Sequence, residues 1–206
     1  FEDLSTFSRF FKNITGESVI AIMSGSFVQR GEVAVADKFE RAKIALNNGV
    51  DLVVELPTVY AVSNAQRFAS CGVEIANSFD CVNYLAFGCE VNNINLLKTA
   101  ADALDDVNVK KIIAESMKNG DYYPRALENA VNTVFGNDVS QVLSQPNNIL
   151  AAEYLRALNK SGISPLPIKR TGVEHDSSSA NKNIASASLI RQLMRNGDDV
   201  SNLVPN

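Results

Sequence analysis

The sequence predicts an α/β fold: a parallel sheet with helices on both faces and a helical insertion in the middle. Two patterns point that way. Short apolar runs alternate with segments of helical periodicity, the order that builds parallel strands joined by crossover helices. A long central stretch, from about 92 to 145, then carries helical patterns with no convincing strand.

Ser18 to Ser24 is a mostly apolar run ending in Gly25, and its lack of strict alternation suits a strand buried on both faces. Asp37 to Asn48 reads as a helix capped by Asp37, with Phe39, Ala42, Ala45 and Leu46 on one side and Gly49 at its end. Asp51 to Leu56 is a second strand, stopped by Pro57. A helix over Ser63 to Phe79 leads to a third strand, Val82 to Phe87, closed by Gly88. The central helices break at Gly120 and Pro124. Asn148 to Asn159 is a further helix, with Asn147 or Asn148 as its natural cap. Pro165 to Arg170 forms a fourth strand, Thr171 to Asn183 a polar loop, and Ser186 to Asn196 the last helix. The whole of 1–206 is read as one domain.

With 206 residues, 46% hydrophobic and 20% charged, the chain is long enough to bury a core without disulfides or metal. A net charge of −4 is not the overall basic footprint of a dedicated nucleic-acid domain. Cys71, Cys81 and Cys89 form no CxxC pair and lie in or beside apolar runs, so buried reduced thiols in a cytoplasmic protein are expected. No run reaches the length of a membrane span, so no membrane is expected as a partner, and no stable protein partner either. The chain opens on Phe1 rather than Met, which points to sequence upstream.

Ligands of open parallel sheets bind outside the carboxyl ends of the strands. After the first strand come Ser24, Gly25, Gln29 and Arg30, a mix able to present N–H groups and a guanidinium to an anion. The alternative is a loop whose glycines only permit turns. Gly88, lacking a Cβ, admits a flat base or ribose near the backbone, or is a plain turn glycine. Pro146-Asn-Asn148 opens a helix, where the dipole favours a negative group. Lys169 and Arg170 end the fourth strand, and Ser186 or Ser188 with Arg191 would form a phosphate clasp or simply a serine cap and a solvated arginine. His175 is the only histidine, the cysteines have no zinc spacing, and neither a P-loop nor GxGxxG is present. No metal ligands are assigned.

Met23-Ser-Gly-Ser-Phe-Val-Gln-Arg-Gly-Glu32, Asp37-Lys38, Asn48-Gly-Val-Asp-Leu-Val-Val-Glu-Leu-Pro57, Phe87-Gly-Cys-Glu90, Pro146-Asn-Asn-Ile-Leu150 with Glu153-Tyr154, Ile168-Lys-Arg170, His175-Asp176 and Ser186 to Arg191 follow one another as in the bacterial tRNA(Met) cytidine acetate ligases, which the chain resembles from about Thr15 onward. The resemblance implies a Rossmann-like HIGH-type nucleotidyltransferase fold. It implies ATP, carried with Mg2+, and acetate reacting to acetyl-adenylate, then acetyl transfer to N4 of the wobble cytidine of elongator tRNA(Met). It places Gly88, Asn147 and Arg170 as ATP contacts, and Ser186 to Arg191 in the position of a segment seen in related nucleotidyltransferases. Ser24, Gly25, Gln29 and Arg30, with Ser186, Ser188 and Arg191, are the candidate phosphate or substrate contacts. Alternatives are an adenylylating transferase for another small metabolite, or a non-catalytic nucleotide- or RNA-binding remnant.

The sequence departs from the family at its start. The family's opening strand and Asn-Pro-Phe-His-Asn-Gly-His-like loop have no counterpart here, and a carboxyl-terminal part is also expected to be missing. One preorganised donor to developing charge is worth roughly 2.7–4 kcal/mol of barrier, so the chain as written is expected not to adenylate. The missing strand is expected to be central, leaving its neighbours with unpaired backbone groups.

Overall fold

In the computed structural model of the chain, residues 4–91, 93–169 and 187–200 are described. They fall into two compact units. One takes the residues up to 28, those from 32 to 58 and the stretch 187–200; the other takes 29–31 and 59–169.

The first unit holds α1 (Leu4–Thr15), β1 (Ile20–Ser24), α2 (Lys38–Asn47), β2 (Leu52–Leu56) and, late in the chain, α10 (Ala187–Asn196). β1 and β2 are parallel, in register from Ile20 opposite Leu52 to Ser24 opposite Leu56. β1 is half-buried at all five positions rather than buried on both faces. Its apolar run finds a ladder partner on one edge only among the described residues. Asp37 caps α2 as its position implies, its carboxylate accepting the Phe39 N–H at 2.8 Å. The inward face of α2 differs from the expected one. Ala45 is fully buried, whereas Phe39 is 73% exposed and Leu46 is also exposed. The small Ala45 side chain sets the close approach, and the longer side chains at 39 and 46 point to water.

Two ties hold α1 to the start of β2. Ser8, buried, donates its hydroxyl to the Asn48 carbonyl at 2.6 Å. Lys12 pairs with Asp51, whose second oxygen accepts the Val19 N–H at 2.7 Å. Lys12 first, and then that N–H, hold the Asp51 carboxyl below its usual range. Gly49, at φ +95°, turns the chain between α2 and β2, and a Cβ there would also meet Ser8 Oγ at 2.9 Å.

After the short α3 (Thr58–Ala61), the second unit contains α4 (Ala65–Ser78), β3 (Tyr84–Cys89), α5 (Ile94–Asp105), α6 (Val107–Lys118), α7 (Tyr123–Phe135), α8 (Asn137–Val142), α9 (Pro146–Leu158) and β4 (Ser164–Lys169). α4 begins later than its periodicity implies because Asn64 caps it, accepting the Arg67 N–H. From α5 to α8 the described residues contain no strand. Asn93 and Asp106 cap α5 and α6 through their side chains. α9 packs against α4, α5 and β3, and Ala151, Ala152 and Leu155 of α9 join Leu97, Ala100, Val109, Ala126, Ala130 and Val131 in a core rich in small side chains. Small residues let helix backbones approach closely, which suits this many short helices.

β3 and β4 are also parallel, Tyr84 opposite Ser164 through Cys89 opposite Lys169. β3 runs two residues further than expected, so Gly88 lies within the strand rather than closing it. β4 carries Pro165 and Pro167, which have no N–H. Ser164 N–H faces β3 and donates to the Asn83 carbonyl. Every second residue faces the same way, so both prolines turn to the outer edge, where no strand donor is needed. Among the described residues no ladder joins the β1–β2 pair to the β3–β4 pair.

Two of the three cysteines meet expectation: Cys71 and Cys89 are buried free thiols. Cys81 is exposed instead, because it lies in the loop before β3 rather than in the strand.

Candidate functional site

Each parallel pair carries a polar cluster at its carboxyl end, where loops leave the strands and backbone groups are free for ligands.

At the end of β1, Ser24 is half-buried and Gly25 is buried. Arg41 of α2 reaches their carbonyls, donating from Nη1 to Ser24 O at 3.0 Å and to Gly25 O at 2.8 Å. Beside them, Glu55 of β2 pairs with Lys38 at 2.7 Å. A Cβ on Gly25 would overlap Glu55 Oε1, so the absence of a side chain is what lets the carboxylate lie across the backbone. The following loop is not an open cradle of N–H groups. Val28 N–H donates to Glu32 O, Ala34 N–H to Ser26 O, and Phe27 bridges Val33, which makes a small antiparallel hairpin. Those N–H groups are therefore used within the loop. Gln29 and Arg30 lie in a 3-10 turn, Gln29–Gly31, at the hairpin tip. Gln29 is exposed, and the Arg30 side chain lies outside the described residues.

At the end of β3, Gly88 is half-buried and Glu90 follows the strand. α9 begins with Pro146, and its cap residue is Gln145, which makes no side-chain cap bond. Neither asparagine is the cap, contrary to expectation, because proline takes the first helical position. Both reach back to β3 instead. Asn147 Nδ2 donates to Glu90 Oε1 at 2.6 Å. Asn148, wholly buried, accepts the N–H groups of Glu90 at 2.8 Å and Val91 at 3.3 Å through Oδ1. The amide nitrogen of Asn148 is buried without a partner among the described residues. A carboxylate thus sits by the start of a 13-residue helix, near the positive end of its dipole. Cys89, directly opposite Lys169 in the ladder, donates its thiol to the Val91 carbonyl. Burial first, and then Glu90, push that thiol up, which keeps it protonated and unsuited to nucleophilic work.

Of the other expected contacts, Arg170 and Ser186 lie outside the described residues, as does His175. Ser188 and Arg191 belong to α10, but their side chains are outside the described set.

The sequence profile described as HIGH Nucleotidyl Transferase matches residues 8–206. The chain belongs to that family. Among curated relatives, tRNA(Met) cytidine acetate ligase of Thermoanaerobacter sp. strain X514 is 42% identical over 84% of this chain and 44% of its own length. The protein of the same name from Acetivibrio thermocellus is 39% identical over 92% of this chain and 48% of its own. Thermotoga maritima TmcAL in its apo form I superposes with a TM-score of 0.88 at 35% identity, covering 97% of this chain and 49% of that one. The same protein bound with alpha-thio ATP superposes with a TM-score of 0.82, covering 93% and 47%. The chain spans about half the length of the relatives it matches.

As a HIGH nucleotidyl transferase the chain has an α/β fold with parallel strands, as its alternating runs predict. The sequence assigns no role to Lys38, Arg41, Glu55 or Glu90, and for Asn148 only that of a possible helix cap. One signal was present: charged residues at the ends of apolar runs, in Glu55 before Pro57 and Glu90 after Cys89. Nothing in the sequence marks that Glu55 pairs with Lys38, 17 residues away, or Glu90 with Asn147, 57 residues away.

Proposed function

We propose that this chain is part of an ATP-dependent tRNA(Met) cytidine acetate ligase and belongs to its catalytic domain, with α5 to α8 as a helical insertion. The observation that carries the reading is the likeness to Thermotoga maritima TmcAL bound with alpha-thio ATP, over 93% of this chain. An acetate oxygen attacks the α-phosphorus of ATP, giving acetyl-adenylate and releasing pyrophosphate. The N4 amine of the wobble cytidine of elongator tRNA(Met) then attacks the acyl carbon and releases AMP. Mg2+ comes with the triphosphate, which binds it through its own oxygens.

Gly88 and Asn147 contact the nucleotide at the end of β3, together with Arg170. Asn148 holds the backbone of this turn, and Glu90 fixes the Asn147 amide so that its orientation is set before ATP arrives. Ser24, Gly25, Gln29, Arg30, Ser186, Ser188 and Arg191 serve the phosphates or the acyl group. The Lys38–Glu55 pair adds a cation at the end of β1. Activity takes place in the cytoplasm, with tRNA as the substrate.

Acetate-stimulated exchange between ATP and pyrophosphate in the full-length protein tests the first step, and tRNA-dependent acetate consumption the second. Exchange with a different small acid and none with acetate would reassign the substrate. A second reading is a non-catalytic nucleotide- or RNA-binding role. ATP binding without exchange would select it.

A further inference from the structure

The geometry points to a second site: the cleft walled by α4, α7 and α9 takes an unpaired RNA nucleotide, with Glu153 reading the base edge and Tyr122 and Tyr123 covering its face. The inference rests on the tRNA-substrate reading above.

The cleft has a volume of about 790 Å³, within the usual span of small-molecule sites. Glu153 lines it from α9 and is only 8% exposed. One of its oxygens, Oε2, accepts from Arg156 Nη1 at 2.7 Å. Oε1 has no hydrogen-bond partner among the described residues, and it is not sealed from the cleft. A nearly buried carboxylate oxygen without a donor is costly, and an incoming N–H removes that cost. Arg156 also donates twice to Asp105, at 3.0 and 2.7 Å, so its guanidinium is shared between two carboxylates.

At the mouth, Tyr122 and Tyr123 are 68% and 51% exposed, an unusual outlay of aromatic surface on adjacent residues. Tyr123 lies close enough to Glu153 for that carboxylate to push its phenol up, after burial, which places ring and acceptor in one space. Gln66 and Asn129 add amide groups to the walls.

Charge decides which part of a nucleotide is read. The cleft carries Glu128 and Glu153 against Arg125, whose guanidinium is 3.8 Å from Asp121. Such a lining repels a phosphate and attracts a donor. The exocyclic amine of cytosine or adenine is a donor that carboxylates accept, and every base has a face that stacks on an aromatic ring. Adenine and cytosine in single-stranded RNA meet both demands. A paired base does not, because its face is already stacked between its neighbours in the duplex.

The test measures binding of a fluorescein-labelled RNA hairpin with an unpaired loop, and of a fully paired duplex, to the full chain and to Tyr122→Ala, Tyr123→Ala and the two Tyr→Phe variants. Thermal unfolding of each variant confirms that it is folded. Loss of one stacking ring is expected to weaken hairpin binding by roughly five- to 100-fold. The phenylalanine variants keep the ring and should bind within about twofold of wild type, and duplex binding should not change among the variants. Equal hairpin binding by wild type and both alanine variants would overturn the proposal, as would an equal loss for hairpin and duplex, or no hairpin binding at all. Acetate- and tRNA-dependent turnover of the full-length protein judges the underlying reading separately, so a failed cleft and a failed function are told apart.

Discussion

Asn148 accepts the backbone N–H of Glu90 at 2.8 Å, joining the first turn of α9 to the end of β3 across 58 residues of sequence. The same side-chain oxygen takes the Val91 N–H, so one buried amide holds the turn after the strand. Asn148→Ala leaves both donors without that acceptor. An expected loss of about 2–3 kcal/mol follows from the cost of unsatisfied groups. Urea unfolding followed by circular dichroism measures it, and a loss below about 0.5 kcal/mol would mean that the turn holds itself.

Gly25→Ala separates function from stability at the other cluster. The new Cβ displaces the Glu55 carboxylate and with it the Lys38 pair. Both side chains are more than a third exposed, so the pair itself contributes at most about 1 kcal/mol. The expected outcome in the full-length protein is an acetate-dependent exchange rate reduced by about tenfold or more, with little change in Tm. An unchanged rate would remove this cluster from the site.

Gly72→Ala should stabilise the second unit. Gly72 lies inside α4, where alanine is favoured over glycine by about 0.8–1.0 kcal/mol. The added Cβ would stand 3.7 Å from Tyr154 Cε1, an ordinary contact. Tyr154 stacks on Phe87 of β3 with centroids 5.5 Å apart, so the methyl fills space beside a ring that is already held. A rise in Tm is expected, and a fall would show that the ring needs the room.

Asp105 links acid stability to Arg156. Hydrogen bonds from Arg156 hold its carboxyl down to about 2, against an unfolded value of about 3.9. A carboxyl depressed in the folded state adds stability above its unfolded pKa and loses it as pH falls through its folded one. Glu153, on the same arginine, goes the other way: burial raises it above its ordinary value, so it opposes stability as it ionises. The two carboxylates differ because Asp105 is largely exposed and takes three bonds, two from Arg156 and one from Lys110, while Glu153 is buried and takes one. In wild type the Asp105 contribution should therefore fade between about pH 4 and pH 2, and Asp105→Asn should flatten that part of the curve. An identical acid limb in both proteins would contradict this.

The alternation of strands and helices was legible because its signals are local. Gly25 and Pro57 punctuate β1 and β2, Asp37 caps α2, and apolar runs of five or six residues are too short for helices. The inward face of α2 was not legible, because Phe39 and Leu46 share one side and Ala45 lies about 120° round the helix, and only packing decides which side is covered. The site was half-legible for a similar reason. Gly88 and Asn147 stood out by position, but an asparagine after a proline reads locally as a cap. Its bond to Glu90 depends on chain that folds back 57 residues later. Glu55 and Gly25 show the same limit, since nothing near either residue announces that a carboxylate will lie over a glycine.

The central claim is that the end of β3, with Asn147 oriented by Glu90, receives the nucleotide. Calorimetric titration of ATP into the protein and into Asn147→Ala tests it most directly. Loss of one oriented hydrogen bond is worth about 0.5–1.5 kcal/mol, so the variant should bind ATP roughly two- to tenfold more weakly. Because Asn147 is only half-buried and Asn148 still holds the turn, unfolding should be nearly unchanged. ATP bound equally well by both proteins would contradict the assignment.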